Sequence, residues 1–418
     1  MFFIYRILIN LIFIFSPIIF IYRIIKKKED PSRFKEKLCF FSKRKLRGNT
    51  LWFHGASVGE IRSIIPLIEK LEKNKKINQI LVTTNTLSSS KILDNLKFKK
   101  TIHQFFPIDT YYHTEKFLNY WRPSIAIFVD SEIWPNMLNN AKKRNISLVL
   151  LNARITKKTY NRWIKVPNIA KNLFNKFDIC LTSSKKSKIY LKKLGAKKIL
   201  NIGNLKFTQT DKDKNTLKNR LKKKLSSRKI WCASSTHSPE EKICATAHIA
   251  LKKKYNNLLT IIIPRHVDRS ESIMNEMKKN NLRVCLHNSN DKLDKNTDIY
   301  LVNSFGVTKA FYKVCKTVFL GGSLIQHGGQ NPLEAAIHGC KIINGPNVWN
   351  FKEIFDLLYT YKISKKVKNS REITNEIDKT FLLKNNSQKV IFNIKRIGDK
   401  ILNLTTKEIN LLINKNEI

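Results

Sequence analysis

Residues 51–71 read LWFHGASVGEIRSIIPLIEKL, a short apolar run, a small-residue turn and then apolar positions at Ile61, Ile64, Ile65 and Ile68 with helical spacing. This is the grammar of a buried strand that passes through a tight turn into an amphipathic helix. The same unit recurs outward from it. ILVTT (80–84), IHQFF (102–106), IAIFV (125–129), SLVLL (147–151) and DICLT (178–182) are each followed by a polar or helical stretch. A second series runs through KIWCAS (229–234), LLTIIIP (258–264), RVCL (283–286), DIYLV (298–302), TVFLGG (317–322) and KIING (341–345). Strands alternating with helices predict parallel sheets covered on both faces. We expect an α/β chain of two doubly wound domains over 30–205 and 226–390. The apolar-poor, charged stretch at 206–225 is read as a linker or solvated helix, and 391–418 as a C-terminal helical tail. Ligands of such sheets bind beyond the carboxyl ends of the strands, which directs attention to a cleft between the two domains.

A chain of 418 residues with 42% hydrophobic and 10% aromatic residues, 13 Gly and 11 Pro exceeds one compact core and excludes disordered and fibrous classes. Its 79 Lys and Arg against 31 Asp and Glu give a net charge of +48, but the basic residues are spread along the whole chain and locate no footprint. No helix-turn-helix, RNP1 or zinc pattern accompanies the charge, so no nucleic-acid partner is expected. The 7 cysteines stand singly, without CxxC or Cys/His spacing; Cys180 and Cys232 lie in apolar runs and read as buried thiols of a reducing compartment. No metal site and no cofactor are expected.

Residues 1–25, MFFIYRILINLIFIFSPIIFIYRII, are almost wholly apolar and precede Lys26, Lys27 and Lys28. The length suits a membrane anchor, spanning or interfacial, and the basic cluster after it leaves the body on the cytoplasmic side. No basic leader or small-residue cleavage pattern marks it as a removable signal.

Chemistry-bearing residues gather at strand ends. After the first strand, Ser57, Gly59 and Glu60 offer a helix N-terminus and a carboxylate that can act as a base. Ser57 and Glu60 also form an S-x-x-E capping box, which accounts for both without chemistry. In DSEIWPN, after a later strand, Asp130, Glu132 and Trp134 suit a substrate site, or Asp130 or Ser131 simply caps a helix, and Arg154 in NAR suits a bound carboxylate or phosphate and a solvated surface about equally. In the second half, ASSTH (233–237) and Pro264-Arg265-His266 end strands, and residues 321–336, GGSLIQHGGQNPLEAA, place two glycine pairs before a helix that carries Glu334. Glycines permit close approach of backbone to a phosphate, and a first-turn carboxylate can accept from ribose hydroxyls.

Taken in order, LWFHGASVGE, DSEIWPN, LNARIT, GNLKF, ASSTHSPEE, IIIPRH, GGSLIQHGGQNPLEAA and GPNVWNF make the chain resemble the Kdo transferases, which move 3-deoxy-D-manno-octulosonic acid (Kdo) from CMP-Kdo to lipid A precursor. The resemblance implies a GT-B glycosyltransferase, two Rossmann-like domains facing across a cleft, inverting and metal-independent, anchored at the cytoplasmic face of the inner membrane. It implies Glu60 as catalytic base, Arg265, His266, Ser323, Gly329, Asn331 and Glu334 as donor-binding residues, and Ser57, Gly59, Glu132 and Arg154 on the acceptor side. The alternative is a GT-B enzyme using another nucleotide sugar on a lipid acceptor. Two departures stand out: Gln330 replaces the His of the family's GGHN, removing a titratable ring, and Ser304 to Thr308 lacks the family's Gly-Glu pair.

Overall fold

The computed structural model describes residues 2–94, 96–209, 216–287, 293–383 and 387–415. The chain divides into two units, Met1–Gln209 with Gly398–Ile418, and Thr210–Ile397. Each unit is built on one seven-stranded sheet.

In the first unit, β1 (Thr50–His54), β2 (Gln79–Thr84), β3 (Thr101–Phe105), β4 (Ile125–Val129), β5 (Ser147–Ala153), β6 (Ile179–Thr182) and β7 (Ile199–Asn201) are arranged β3-β2-β1-β4-β5-β6-β7. Every pairing is parallel. β1, β2 and β4 are buried along their whole length, as strands covered on both faces must be. Trp52, Phe117, Trp121, Phe128 and Phe174 fill one face of this core.

The second unit repeats the plan with β8 (Lys229–Thr236), β9 (Leu258–Pro264), β10 (Val284–Leu286), β11 (Ile299–Leu301), β12 (Thr317–Leu320), β13 (Lys341–Asn344) and β14 (Ser364–Lys366) in the order β10-β11-β9-β8-β12-β13-β14. It too is parallel throughout. In both sheets the strand order reverses beside the first strand, at β1/β4 and at β8/β12, and such reversals open a crevice at the strands' carboxyl ends. The edge strands β7 (ILN) and β14 (SKK) escape the sequence reading because three residues are too few to show a period, and β14 has no apolar residue.

The expected linker does not behave as one piece. Leu205–Thr208 is a 3-10 turn with Leu205, Phe207 and Thr208 buried in the first unit, and Asn219–Ser226 is a helix whose Leu225 is buried; residues 210–215 of that stretch lie outside the described residues. The expected tail is the later part of a 29-residue helix, Ser387–Lys415. From Gly398 onward it belongs to the first unit, and a Cβ at Gly398 would lie 2.4 Å from the carbonyl oxygen of Phe207, so only glycine admits that approach.

The N-terminal stretch forms two helices, α1 (Phe2–Ile14) and α2 (Ser16–Ile25), bent by 54°. Among the described residues no single helix is long and apolar enough to cross a membrane, although this bent pair is when taken together. Pro17 explains the break: it lacks the N–H that would continue the helical ladder. α1 rests on the first unit through Tyr5, whose hydroxyl donates to Asp109 (2.6 Å), and Arg6, whose Nε donates to Asn136 (3.1 Å). Phe20 is buried against Phe34, while Phe3, Ile4, Ile7, Leu11, Ile18 and Ile21 are exposed. All seven cysteines are free and buried.

Candidate functional site

At the carboxyl ends of β1 and β4 the first unit collects three carboxylates. Ser57 caps α3 (Val58–Leu71): its hydroxyl accepts from the Glu60 amide at 3.3 Å and donates to Glu60 Oε1 at 2.7 Å, while Glu60 Oε2 accepts from the Ala56 amide at 2.7 Å. The capping box is therefore real, and it fixes the carboxyl group at the mouth of the turn. Burial pushes the Glu60 carboxyl up to about 7, opposed by the Ser57 hydrogen bond and reinforced by Asp130 and Glu132. A carboxylate that gives up its proton near neutrality suits general base work. Gly59 leaves the approach open, since a Cβ there would meet nothing within 4 Å.

Glu132 is held from two sides. Trp134 Nε1 donates to its Oε2 at 2.9 Å, and His54 Nε2 lies 3.4 Å from the same oxygen. His54 is fully buried and burial pushes its pKa down. Its Nδ1 lies 3.0 Å from the Thr83 hydroxyl, which accepts from Trp52 Nε1 at 2.9 Å. The Thr83 hydroxyl also lies 3.3 Å from the Phe53 carbonyl: donating there it accepts from Nδ1–H, and donating to Nδ1 it leaves the Nε2 proton facing Glu132. Asp130 takes the left-handed conformation (φ 60°), as does Asn152 (φ 53°), whose side-chain amide donates to the Asp130 carboxylate. Burial raises the Asp130 pKa, against Lys206, Asn152 and Arg154. Sequence reasoning singled out Glu60, Ser57, Gly59, Glu132 and Arg154 here and read Asp130 as a site acid or a helix cap, but gave His54 and Lys206 no role of their own. The signal for them was position, since His54 ends β1 and Lys206 stands in GNLKF.

At the carboxyl ends of β8, β9 and β12 the second unit collects imidazoles instead. His237 is 9% exposed; its ring centroid lies 4.3 Å from that of His327 and 5.9 Å from that of His266. Arg265 and His266 are exposed after β9, and the Arg265 amide donates to the Thr236 carbonyl at 3.0 Å. Asn331 Oδ1 accepts from the Leu333 amide at 3.2 Å, opening the short helix Leu333–Ile337 that carries the half-buried Glu334.

The glycine loop is organised from within. Glu240, fully buried at the start of the helix Glu240–Lys252, accepts from the amides of Gly322 (2.6 Å), Ser323 (3.0 Å), Leu324 (2.9 Å) and His237 (3.1 Å). Ser323 is fully buried, its hydroxyl donating to the Leu320 carbonyl and accepting from the Gly345 amide at 2.8 Å. Ser323 thus shapes the loop. Gly329 has a φ of +77° and its amide donates to the Gly322 carbonyl at 2.7 Å, joining the two glycine pairs. Glu240, His237 and His327 were not among the expected donor residues. Among the described residues no group of three or more His, Cys, Asp or Glu is arranged to hold a metal.

A family model described as 3-Deoxy-D-manno-octulosonic-acid transferase (kdotransferase) matches residues 32–209. A curated 3-deoxy-D-manno-octulosonic acid transferase of Rickettsia bellii is 32% identical over 404 residues, covering 94% of this chain and 96% of that protein. Its counterpart in Haemophilus influenzae is 31% identical over 318 residues, 74% of this chain and 73% of that protein. Among solved structures, a UDP-GlcNAc 2-epimerase from Neisseria meningitidis superposes with a TM-score of 0.59 at 13% identity, over 88% of this chain and 100% of that one. That likeness is one of fold.

Proposed function

This chain belongs to the 3-deoxy-D-manno-octulosonic acid transferase family and is a glycosyltransferase that transfers Kdo in lipopolysaccharide biosynthesis, and we propose that its first unit activates the acceptor hydroxyl while its second holds CMP-Kdo. Glu60 takes the hydroxyl proton of a lipid A precursor. The oxygen attacks the anomeric carbon, the carbon–phosphate oxygen bond breaks with its electron pair going to CMP, and the single displacement inverts the anomeric configuration. Arg265, with the groups around the glycine loop, meets the charge that grows on the phosphate. Asn331 and Glu334 face the cytidine ribose in this reading, and no step is assigned to a metal.

The observation that carries the assignment is the place of Glu60, held by Ser57 and the Ala56 amide in the turn after β1, where the strand order of the first sheet reverses. The test is transfer of labelled Kdo from CMP-Kdo to a tetraacyl disaccharide acceptor by wild type and Glu60→Gln. A variant that binds CMP and transfers at the wild-type rate refutes the assignment.

We read α1 and α2 as an interfacial membrane anchor at the cytoplasmic face of the inner membrane. Support comes from the exposed apolar residues Phe3, Ile7, Leu11 and Ile18, on helices whose other side is tied to the first unit. Flotation with vesicles of mixed neutral and anionic phospholipid, lost on Ile7→Glu with Leu11→Glu, supports this; unchanged flotation overturns it.

A further inference from the structure

The two N-terminal helices are joined to the first unit by more than apolar contact. Each is tied through a buried carboxylate, and each tie runs on into a segment that holds one acid of the candidate site.

The tie of α1 is Asp109, which is 1% exposed in the turn after β3. Its Oδ2 accepts from the Tyr5 hydroxyl at 2.6 Å and from the Asn136 amide at 3.0 Å, and its Oδ1 accepts from the Met137 amide at 2.8 Å. The Asn136 side-chain amide donates back to the Asp109 carbonyl at 2.6 Å, while its oxygen accepts from Arg6 Nε at 3.1 Å. Asn136 and Met137 open the helix Pro135–Lys143, whose N-cap Trp134 supplies no side-chain acceptor. Asp109 therefore caps that helix from another loop. Trp134 in turn donates to Glu132 at 2.9 Å, so the path from α1 ends on an acid of the site.

The tie of α2 is Glu29, 2% exposed, whose Oε2 accepts from Arg23 Nε at 3.0 Å and from Lys37 Nζ at 2.6 Å. Lys37 also donates to the Asn85 carbonyl at 3.2 Å. The turn that follows Asn85 carries Ser89, whose hydroxyl donates to the Ala56 carbonyl at 3.3 Å, and the Ala56 amide is the donor that holds Glu60 Oε2 at 2.7 Å. Attachment alone needs none of this. Apolar contact such as that of Phe20 with Phe34 holds a helix in place, whereas a buried ion pair adds little net stability over apolar residues of the same volume and serves best to fix geometry.

We propose that α1 and α2 set the geometry of the acceptor side, with Tyr5 and Lys37 as positioning residues: Tyr5 holds Glu132 through Asp109 and Asn136, and Lys37 holds Glu60 through Asn85 and Ala56. This rests on the reading that the first unit receives the acceptor hydroxyl. Neither residue meets the substrate; each acts through the backbone that it holds.

The test is Kdo transfer by the full chain, with a tetraacyl disaccharide acceptor dispersed in non-ionic detergent so that tethering to a bilayer contributes nothing, and with acceptor and CMP-Kdo varied in turn. Tyr5→Phe and Lys37→Met should each raise KM for the acceptor about tenfold and leave KM for CMP-Kdo within about twofold. A loss of folded protein, in contrast, lowers the rate without moving either KM. Tyr22 is exposed on α2 and lies on neither path, so Tyr22→Phe should keep both KM values. A wild-type acceptor KM in either Tyr5→Phe or Lys37→Met, or a fall in rate with both KM values unchanged, overturns the proposal. Glu60→Gln in the same assay separates the two claims, since its transfer at the wild-type rate removes the reading of the first unit as the acceptor side whatever the Tyr5 and Lys37 variants do.

Discussion

Glu60 and Glu240 occupy the same place in the two units, the first turn of the helix that follows the first strand of a parallel sheet. Burial raises the pKa of both, and what differs is the set of donors and charges that each carboxylate meets. Glu240 is fully buried and holds four backbone amides, two other residues' loops being shaped around it. Glu60 holds one amide and one hydroxyl, and faces Asp130 and Glu132. A carboxylate saturated with backbone donors is a structural pin; one with few donors and acidic neighbours becomes a base. Each unit also sets a buried imidazole beside a carboxylate, His54 Nε2 at 3.4 Å from Glu132 and His237 Nδ1 at 4.0 Å from Glu240.

The widest separation is expected in turnover. Glu60→Gln should lower kcat by about 10²- to 10⁴-fold with CMP affinity unchanged, measured by Kdo transfer at saturating donor; Glu240→Gln should act mainly by raising KM for the donor, leaving kcat much closer to wild type. Thermal unfolding gives the next largest contrast. Glu240→Gln turns an amide group toward backbone donors in a buried site and should cost about 2 to 4 kcal/mol, so a variant as stable as wild type would remove the distinction between pin and base.

The pH dependence of transfer sharpens the comparison further. Because Glu60 acts deprotonated, kcat should rise with pH up to about 7 and level off above it. The sign for stability is the reverse. A carboxyl whose folded pKa is raised favours folding in its neutral form, so its contribution fades as pH climbs from about 4.5 to about 7. Glu60→Gln should then be more stable than wild type at pH 8, by about 1 to 3 kcal/mol after allowance for its partial exposure, as read from denaturant unfolding. The smallest effect belongs to Glu132→Gln, which removes one neighbouring charge and should move the kcat profile to lower pH by less than about 1 unit.

Much of the architecture was legible in the chain because strands buried on both faces read as apolar runs and helices as periodic ones. The three-residue edge strands β7 and β14 were not, since a short, partly polar strand is recognised only by its neighbour. Glu60 stood out from its strand–turn–helix setting. Glu240 did not, because its partners Gly322, Ser323 and Leu324 lie more than eighty residues away and are brought to it by the pairing of β8 with β12. Likewise the N-terminal apolar stretch announces affinity for a nonpolar phase, while the side tied to Asp109 and Asn136 emerges only from packing.

By itself the sequence determined the alternation of strand and helix, the two repeats of that alternation, and the family blocks at the strand ends, because hydrophobic periodicity and turn chemistry are local properties. Only the tertiary structure decided which acids share a wall, which carboxylate is saturated by amides and which imidazoles are buried. Burial and charge coupling depend on atoms from β1 and β4, or from β8, β9 and β12, that meet solely through sheet order, and it is those couplings that turn one glutamate into a base and leave the other a pin.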